Sequence, residues 1–598
     1  MDNMIKYAGW PGGHNITNQI TEAPSIKTAE EQAPPTGTEL TALGPFKIIP
    51  PYAAPADQVA FSAYLRSLQT NQDPAALKNQ MPVAASQTEA ASVLFDGDPP
   101  KTPLEKLRYI ESFGGSQRER ETQGLSEDVV KRFLQIDESL EAAIDQAFNR
   151  HCKLVMAGHG YKLEMDEREL RIGLQEHILN FYGKDAVNPF VSLGGVGPWL
   201  VTAHGAVVHD CAGYGMLGLG HSPQPVLDAL SEPGPMANAM QAFMSARLPA
   251  DSLSVMQPFI DEMGRKGGCP YTKFLCMNSG SESFEVAALI ANTRAKSKNK
   301  PTVRIALKGG FHGRTGRAAS YSDSSRPVYE KNLASGEEMA KTLITVEPNS
   351  LEDLERAFKE AEARGCAIEA FAMEPVMGEG NPGVAIKPDF YQRARDLTRK
   401  HHCMLIVDSI QAAFRAHGCM SIVDYPDFEH CDPPDMETAS KAVNAGQSPF
   451  SLLALSGEAA DWYARGTYGN TMTGNRKALE VAYAVLGEVN DEMRENIVER
   501  GIELKAKLGE LAKQLPGVIT NVEGTGLLVS AALDPSFEVV GEEGVERKLR
   551  TMGLGIIHGG TNALRLTPHF GMTSAEVDLV VATIRRGLQE YQEAQAAT

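Results

Sequence analysis

The chain has 598 residues, 42% hydrophobic and 22% charged, which is the balance of a soluble globular protein with more than one core. A net charge of −19 argues against a polyanion as the main partner, because nucleic acid is held by basic surface. No stretch approaches a membrane span, and the opening "MDNMIKYAGWPGGHNIT" has no apolar core of signal-peptide length, so a cytoplasmic location is expected.

Residues 1–100 are rich in Pro, Ala, Thr and Gln and broken by Pro34-Pro35, Pro50-Pro51 and Pro99-Pro100, so they read as an extended or partly disordered arm. A helical region over 101–194 follows. Thr102-Pro103-Leu104-Glu105 supplies a cap, a proline at the first helical position and a capping-box glutamate. Val130, Phe133, Ile136, Leu140 and Ile144 share one face of a helix expected from Ser126 to about Phe148. Another helix is expected to start near Asp166.

From about residue 195 to 480, short apolar runs alternate with amphipathic stretches. "TVRIAL" (302–307), "IEAFAMEP" (368–375) and "CMLIVD" (403–408) read as strands, and 389–400 as a helix between the last two. That pattern implies an α/β domain with a mostly parallel sheet, whose ligands sit at the carboxyl ends of the strands. Residues 481–598 read as a smaller α+β domain. It has a helix through Leu504, Leu508 and Leu511, strands around 524–533, and a final helix opened by Thr573 and Glu576.

The eight cysteines contain no C-x-x-C pair and read as free thiols of a reducing compartment. The His and Cys cluster at 401–403, 417, 419, 430 and 431 matches no zinc-ligand spacing, and no metal is expected.

Five stretches could carry chemistry. In "CMNSGSESF" a strand runs into Asn-Ser-Gly-Ser at a helix start, where backbone N–H groups and the hydroxyls of Ser279 and Ser281 suit a phosphate; an ordinary serine cap is the alternative. "KGGFHGRTG" sets Phe311, His312 and Arg314 within four positions, an aromatic for stacking and a fork for a carboxylate. Glu374 ends the strand in "AMEPVMGEG", either aimed at a ligand or capping the next turn. Lys441, among small residues in "ETASKAVNAG", is a candidate Schiff-base amine, and Arg565 in "NALRLTPHF" is flanked by apolar residues and so needs an anion.

The order and spacing of these pieces resemble the class III aminotransferases that use pyridoxal phosphate, the ornithine, lysine, 4-aminobutyrate and acetylornithine group. The resemblance covers roughly residues 195 to 590, and "GGFHGRTG" and "SKAVNAG" are its most specific segments. It implies a fold type I (aspartate aminotransferase-like) large domain and pyridoxal 5'-phosphate as cofactor. Lys441 would hold the cofactor as a Schiff base and shuttle the proton, while Asp408 would pair with the pyridine nitrogen. Phe311 and Ile410 would pack on the ring faces, His312 would belong to the same site, and Gln411 would reach the phenolic oxygen. Ser279, Gly280 and Ser281 would cradle the phosphate, completed by Thr471 from a neighbouring subunit of a homodimer. Arg314 and Arg565 would bind substrate carboxylates, with Glu374 pairing with Arg565 when the second carboxylate is absent.

The implied reaction is ping-pong transfer from an ω-amine or another carboxylate-bearing amine to 2-oxoglutarate. Racemase, decarboxylase or aminomutase chemistry on the same fold is the alternative, and a catalytically idle scaffold a lesser one. The chain departs from the family pattern at Ser409, where a glutamate usually follows the aspartate. It departs again at "GNR" (474–476) and "TPH" (567–569), and its N-terminal region has no assigned counterpart.

Overall fold

The computed structural model describes residues 99–115, 118–180, 182–183, 187–232 and 254–597. The arm expected over 1–100 therefore lies outside the described residues except for Pro99 and Pro100.

The helix Pro103–Ser112 starts as expected, with Glu105 N donating to Thr102 Oγ1 (3.3 Å) and Thr102 N to Glu105 Oε2 (2.9 Å). The single helix expected from Ser126 to Phe148 is instead two, Glu127–Phe133 and Glu138–Met156. Asp137 makes the break. One of its oxygens accepts from Ser139 N (2.9 Å) to cap the second helix, and the other accepts from Trp199 Nε1 (2.6 Å). Ile136, assigned by its spacing to the buried face, lies in that break and is 60% exposed.

These helices pack on an antiparallel sheet of β1 (Ser192–Val196), β2 (Trp199–Thr202) and β3 (Val207–Asp210). The central sheet has seven strands: β4 (Lys273–Met277), β5 (Thr302–Leu307), β6 (Leu343–Val346), β7 (Ala367–Met373), β8 (Met404–Asp408), β9 (Met436–Ala439) and β10 (Ser451–Leu455). Their order is β4-β10-β9-β8-β7-β5-β6, and only β10 runs against the others.

Strand β8 shows why the sheet is buried on both faces. Met404 and Ile406 join the core around the helix Gly280–Lys296, whereas Leu405 and Val407 join the core around the helix Pro388–Lys400. Each of these side chains contributes about 1.5–3 kcal/mol by leaving water, so an uninterrupted apolar run is what a doubly covered parallel strand demands. The residues just beyond the carboxyl ends of β4, β5, β7, β8 and β9 gather at one edge of the sheet.

A third, antiparallel sheet has the order β11-β12-β15-β14, formed by β11 (Ile519–Thr525), β12 (Leu528–Leu533), β14 (Ile557–Gly559) and β15 (Ala563–Leu566). The two-residue β13 (Leu554–Gly555) pairs in parallel with β3. Helices Asp491–Gln514 and Ser574–Ala597 pack against this region, the latter opened by the Thr573–Glu576 capping box. Among the described residues no helix is long and apolar enough to cross a membrane.

Candidate active site

A cavity of about 460 Å³ opens at the strand ends, and Asp408 is the buried acid at its floor. Asp408 Oδ1 accepts from Ile410 N (3.2 Å) and Thr438 Oγ1 (3.0 Å), and Oδ2 contacts His312 Nδ1 (2.7 Å). A carboxylate offers about four acceptor positions, so these contacts orient it and leave one for a further donor. His312 is itself fully buried, stacked on Phe284 with ring centroids 4.5 Å apart, and its Nε2 has no protein partner.

Lys441 follows β9 and carries a backbone φ of +53°, a left-handed conformation that costs a non-glycine residue about 1–2 kcal/mol. Packing of the surrounding residues holds it there, which aims the amine into the cavity. Burial, then the nearby Arg565 guanidinium, push the amine down to about 8, against the opposing pull of Glu379, Glu374 and Asp408. Its Nζ donates to Gln411 Oε1, while Gln411 Nε2 is buried without a protein partner.

The helix Gly280–Lys296 begins at the cavity wall. Ser279 caps it, accepting from Glu282 N (3.3 Å), so the serine-cap reading of that hydroxyl is what the structure shows. The N–H groups of Gly280 and Ser281 still lack intrahelical partners and the N-terminus opens on the cavity, the arrangement that binds anions. Two glycines make room for cavity side chains, and Gly215 also has a φ of +74° that favours glycine. A Cβ on Gly280 would sit 2.7 Å from Ile410 Cδ1, and one on Gly215 would sit 2.4 Å from Gln411 Nε2. Phe311, Ser281 and Ile410 also line the cavity.

The expected pairing of Glu374 with Arg565 does not occur. Glu374 turns back on its own neighbourhood, accepting from Phe311 N (3.0 Å) and Gly378 N (2.8 Å), and burial raises it to about 7. Arg565, on β15 and 3% exposed, pairs instead with Glu379 (Nη1–Oε2 2.6 Å) and donates to Gly378 O (2.6 Å). Burial pushes Glu379 up, but Arg565 and Lys441 outweigh it and hold the carboxyl below its ordinary range. The reason lies in the turn after β7, where residues 375–378 carry the chain around so that the second glutamate, five positions on, faces β15. The sequence signal was present in "AMEPVMGEG", since both acids stand in it.

Two other candidates lie outside the cavity. Arg314 is exposed, with its guanidinium 5.4 Å from the Phe311 ring centroid. Thr471 is exposed in a separate surface depression with Tyr468 and Asn470. Met216, Asn278, Asn444 and Gln447 line the cavity but were not singled out in the sequence, because nothing local distinguishes them from loop residues.

The family model "Aminotransferase class-III" matches residues 182–588, more than half of the chain. The chain belongs to the class III aminotransferases. It is 28% identical over 388 residues to the ornithine aminotransferase of Saccharomyces cerevisiae, covering 62% of this chain and 87% of that protein. It is 30% identical over 368 residues to the diaminobutyrate–2-oxoglutarate aminotransferase of Haemophilus influenzae, covering 57% of this chain and 74% of that protein. Among solved structures, an ornithine aminotransferase of Toxoplasma gondii with partial occupancy of PLP at its active site superposes with a TM-score of 0.59 at 23% identity, covering 74% of this chain and 99% of that one. The fold is accordingly type I, and the enzyme is a pyridoxal-phosphate-dependent aminotransferase.

The residues present fit that cofactor. A buried amine, an oriented carboxylate with one open acceptor position, a wall aromatic and a glycine-bearing helix N-terminus meet in one cavity, beside an unpartnered amide N–H on Gln411. Lys441 would hold the aldehyde carbon, Asp408 the ring nitrogen, Gln411 the phenolic oxygen, and residues 279–281 the phosphate.

Proposed function

We propose that this class III aminotransferase moves the ω-amino group of an amino acid, or the amine of a related carboxylate-bearing donor, to 2-oxoglutarate in two alternating half-reactions. The observation that carries this reading is the Arg565–Glu379 pair, one partner buried and the other 34% exposed, close enough to Lys441 to shift its amine. A donor without a second carboxylate meets a neutralised pair. A dicarboxylate acceptor needs the bare guanidinium, and Glu379 can swing toward water to expose it without leaving an unpaired ion buried.

When bound, pyridoxal phosphate supplies an aldehyde for amines and a protonated ring that takes up electrons released at the substrate carbon. Asp408, oriented by its three neighbours, keeps the ring-nitrogen proton in place. Lys441, with its amine lowered to about 8, has a neutral fraction at physiological pH and so can accept and return the proton at the substrate carbon. Arg314, beside the Phe311 ring, is the second carboxylate ligand of this reading. Thr471 serves the phosphate of a second copy of the chain, which makes a homodimer the active unit.

The test is glutamate formation from 2-oxoglutarate with ornithine, N-acetylornithine, 2,4-diaminobutyrate, lysine and 4-aminobutyrate in turn. Racemisation or carbon dioxide release without glutamate would overturn the reading, and a monomer with full activity would remove Thr471 from it.

A further inference from the structure

Behind the cavity lies a further buried acid that no step above uses. Glu437 stands on β9, in register with Val407 of β8 and one position before Thr438, the residue that donates to Asp408. It is completely buried, and its hydrogen-bond partners are neutral donors. Ser409 Oγ and Ile422 N (3.0 Å) donate to Oε1, and Tyr271 OH and Ser421 Oγ donate to Oε2. Four donors fill the acceptor positions of a carboxylate, and they oppose the burial that raises this acid above its ordinary range.

Two of the donors, and the acid itself, belong to segments that deliver cofactor residues. Tyr271 leads into β4 and the Ser279–Ser281 turn. Ser409 lies between Asp408 and Ile410, and Gln411 follows. Glu437 itself rides β9, which ends two residues before Lys441. Ser409 is also where the chain departs from the family pattern, and the carboxylate missing there is met by one from the neighbouring strand.

We infer that Glu437 is a positioning residue that locks the phosphate-binding turn, the Asp408–Gln411 segment and the Lys441 strand into one register for the cofactor. Its hydrogen bonds to Ser409 and Tyr271 face the cofactor-bearing segments, whereas those to Ser421 and Ile422 fasten the far end of the excursion after β8. A role in folding alone would make the two serines equivalent. A positioning role makes them different.

The experiment uses the full-length holoenzyme and reads the dissociation constant for pyridoxal phosphate by equilibrium dialysis, the induced circular dichroism of the bound cofactor, and Tm. Glu437→Gln, which turns an amide donor toward hydroxyl donors, is expected to weaken cofactor affinity by about tenfold or more and to reduce the induced signal. Ser409→Ala is expected to weaken it by about three- to tenfold, and Ser421→Ala to leave it within about twofold, although each removes one hydroxyl from the same carboxylate. Equal effects of the two serine variants on affinity, or a Glu437→Gln protein with lowered Tm and unchanged affinity and induced signal, would overturn the inference. Should Glu437→Gln fail to fold, the serine pair decides. Because the readout is cofactor binding, a wrong donor or acceptor assignment would leave this result untouched.

Discussion

The two ends of the cavity are built on opposite principles. At the Asp408 end, Asp408, His312 and Thr438 are all buried and hold one another through short contacts, with Glu437 satisfied by four donors behind them. At the Arg565 end, a buried guanidinium is held by one carboxylate about a third exposed and one carbonyl, both from a turn, and Arg314 is exposed altogether. The first end is over-determined and suits a group that stays in place. The second is held by a single exchangeable ion pair and suits molecules that must come and go.

The largest blow to the fixed end is Lys441→Ala, expected to cut turnover by at least about 10⁴-fold and to abolish the visible absorbance of the lysine-bound cofactor. Asp408→Ala should follow at about 10²–10³-fold in kcat, read in both half-reactions alike, because the oriented charge serves each of them. It should also lower Tm, since three contacts are lost.

At the exchangeable end the effects should divide between substrates. Arg565→Gln is expected to lower kcat/KM for 2-oxoglutarate by about 10–100-fold, the value of one charged hydrogen-bond pair, and to affect a donor with a single carboxylate less. Glu379→Gln should act the other way round, weakening the monocarboxylate half-reaction and sparing the acceptor. Single-turnover kinetics of each half separates them, and equal losses in both would erase the distinction between the two ends.

A titration sharpens the same contrast. Lys441's amine is lowered from 10.5 to about 8, so between these values the unfolded chain binds more protons than the folded one. The cofactor-free protein should therefore gain stability as pH rises from about 8 toward 10.5, a gain that Lys441→Met removes. The rate of cofactor capture should rise with a midpoint near 8. The smallest expected effect is Ser279→Ala, which removes a helix cap worth about 1 kcal/mol and should appear in Tm more than in turnover.

Much of this was legible in the chain because it depends on local chemistry. An all-apolar run ending in an acid, "MLIVD", can be a doubly covered strand with its carboxylate at the ligand edge, and it is. A Ser-Gly-Ser before an amphipathic stretch starts a helix, and Ser279 caps it. The misreadings have a common cause. Ile136 had the spacing of a buried residue, but Trp199, distant in sequence, pulls Asp137 out of the helix. Glu374 had the strand-end position of a functional acid, but backbone N–H groups of Phe311 and Gly378 claim it.

The sequence by itself therefore determined which residue types are delivered, and on what kind of element, because strand period, helix caps and glycine turns act over a few residues. Only the tertiary structure decided which acid meets Arg565, and that Glu437 reaches Ser409 from the next strand. Those pairings join elements many residues apart, and their geometry is set by sheet order and by the path of the turns between strands rather than by any neighbour in the chain.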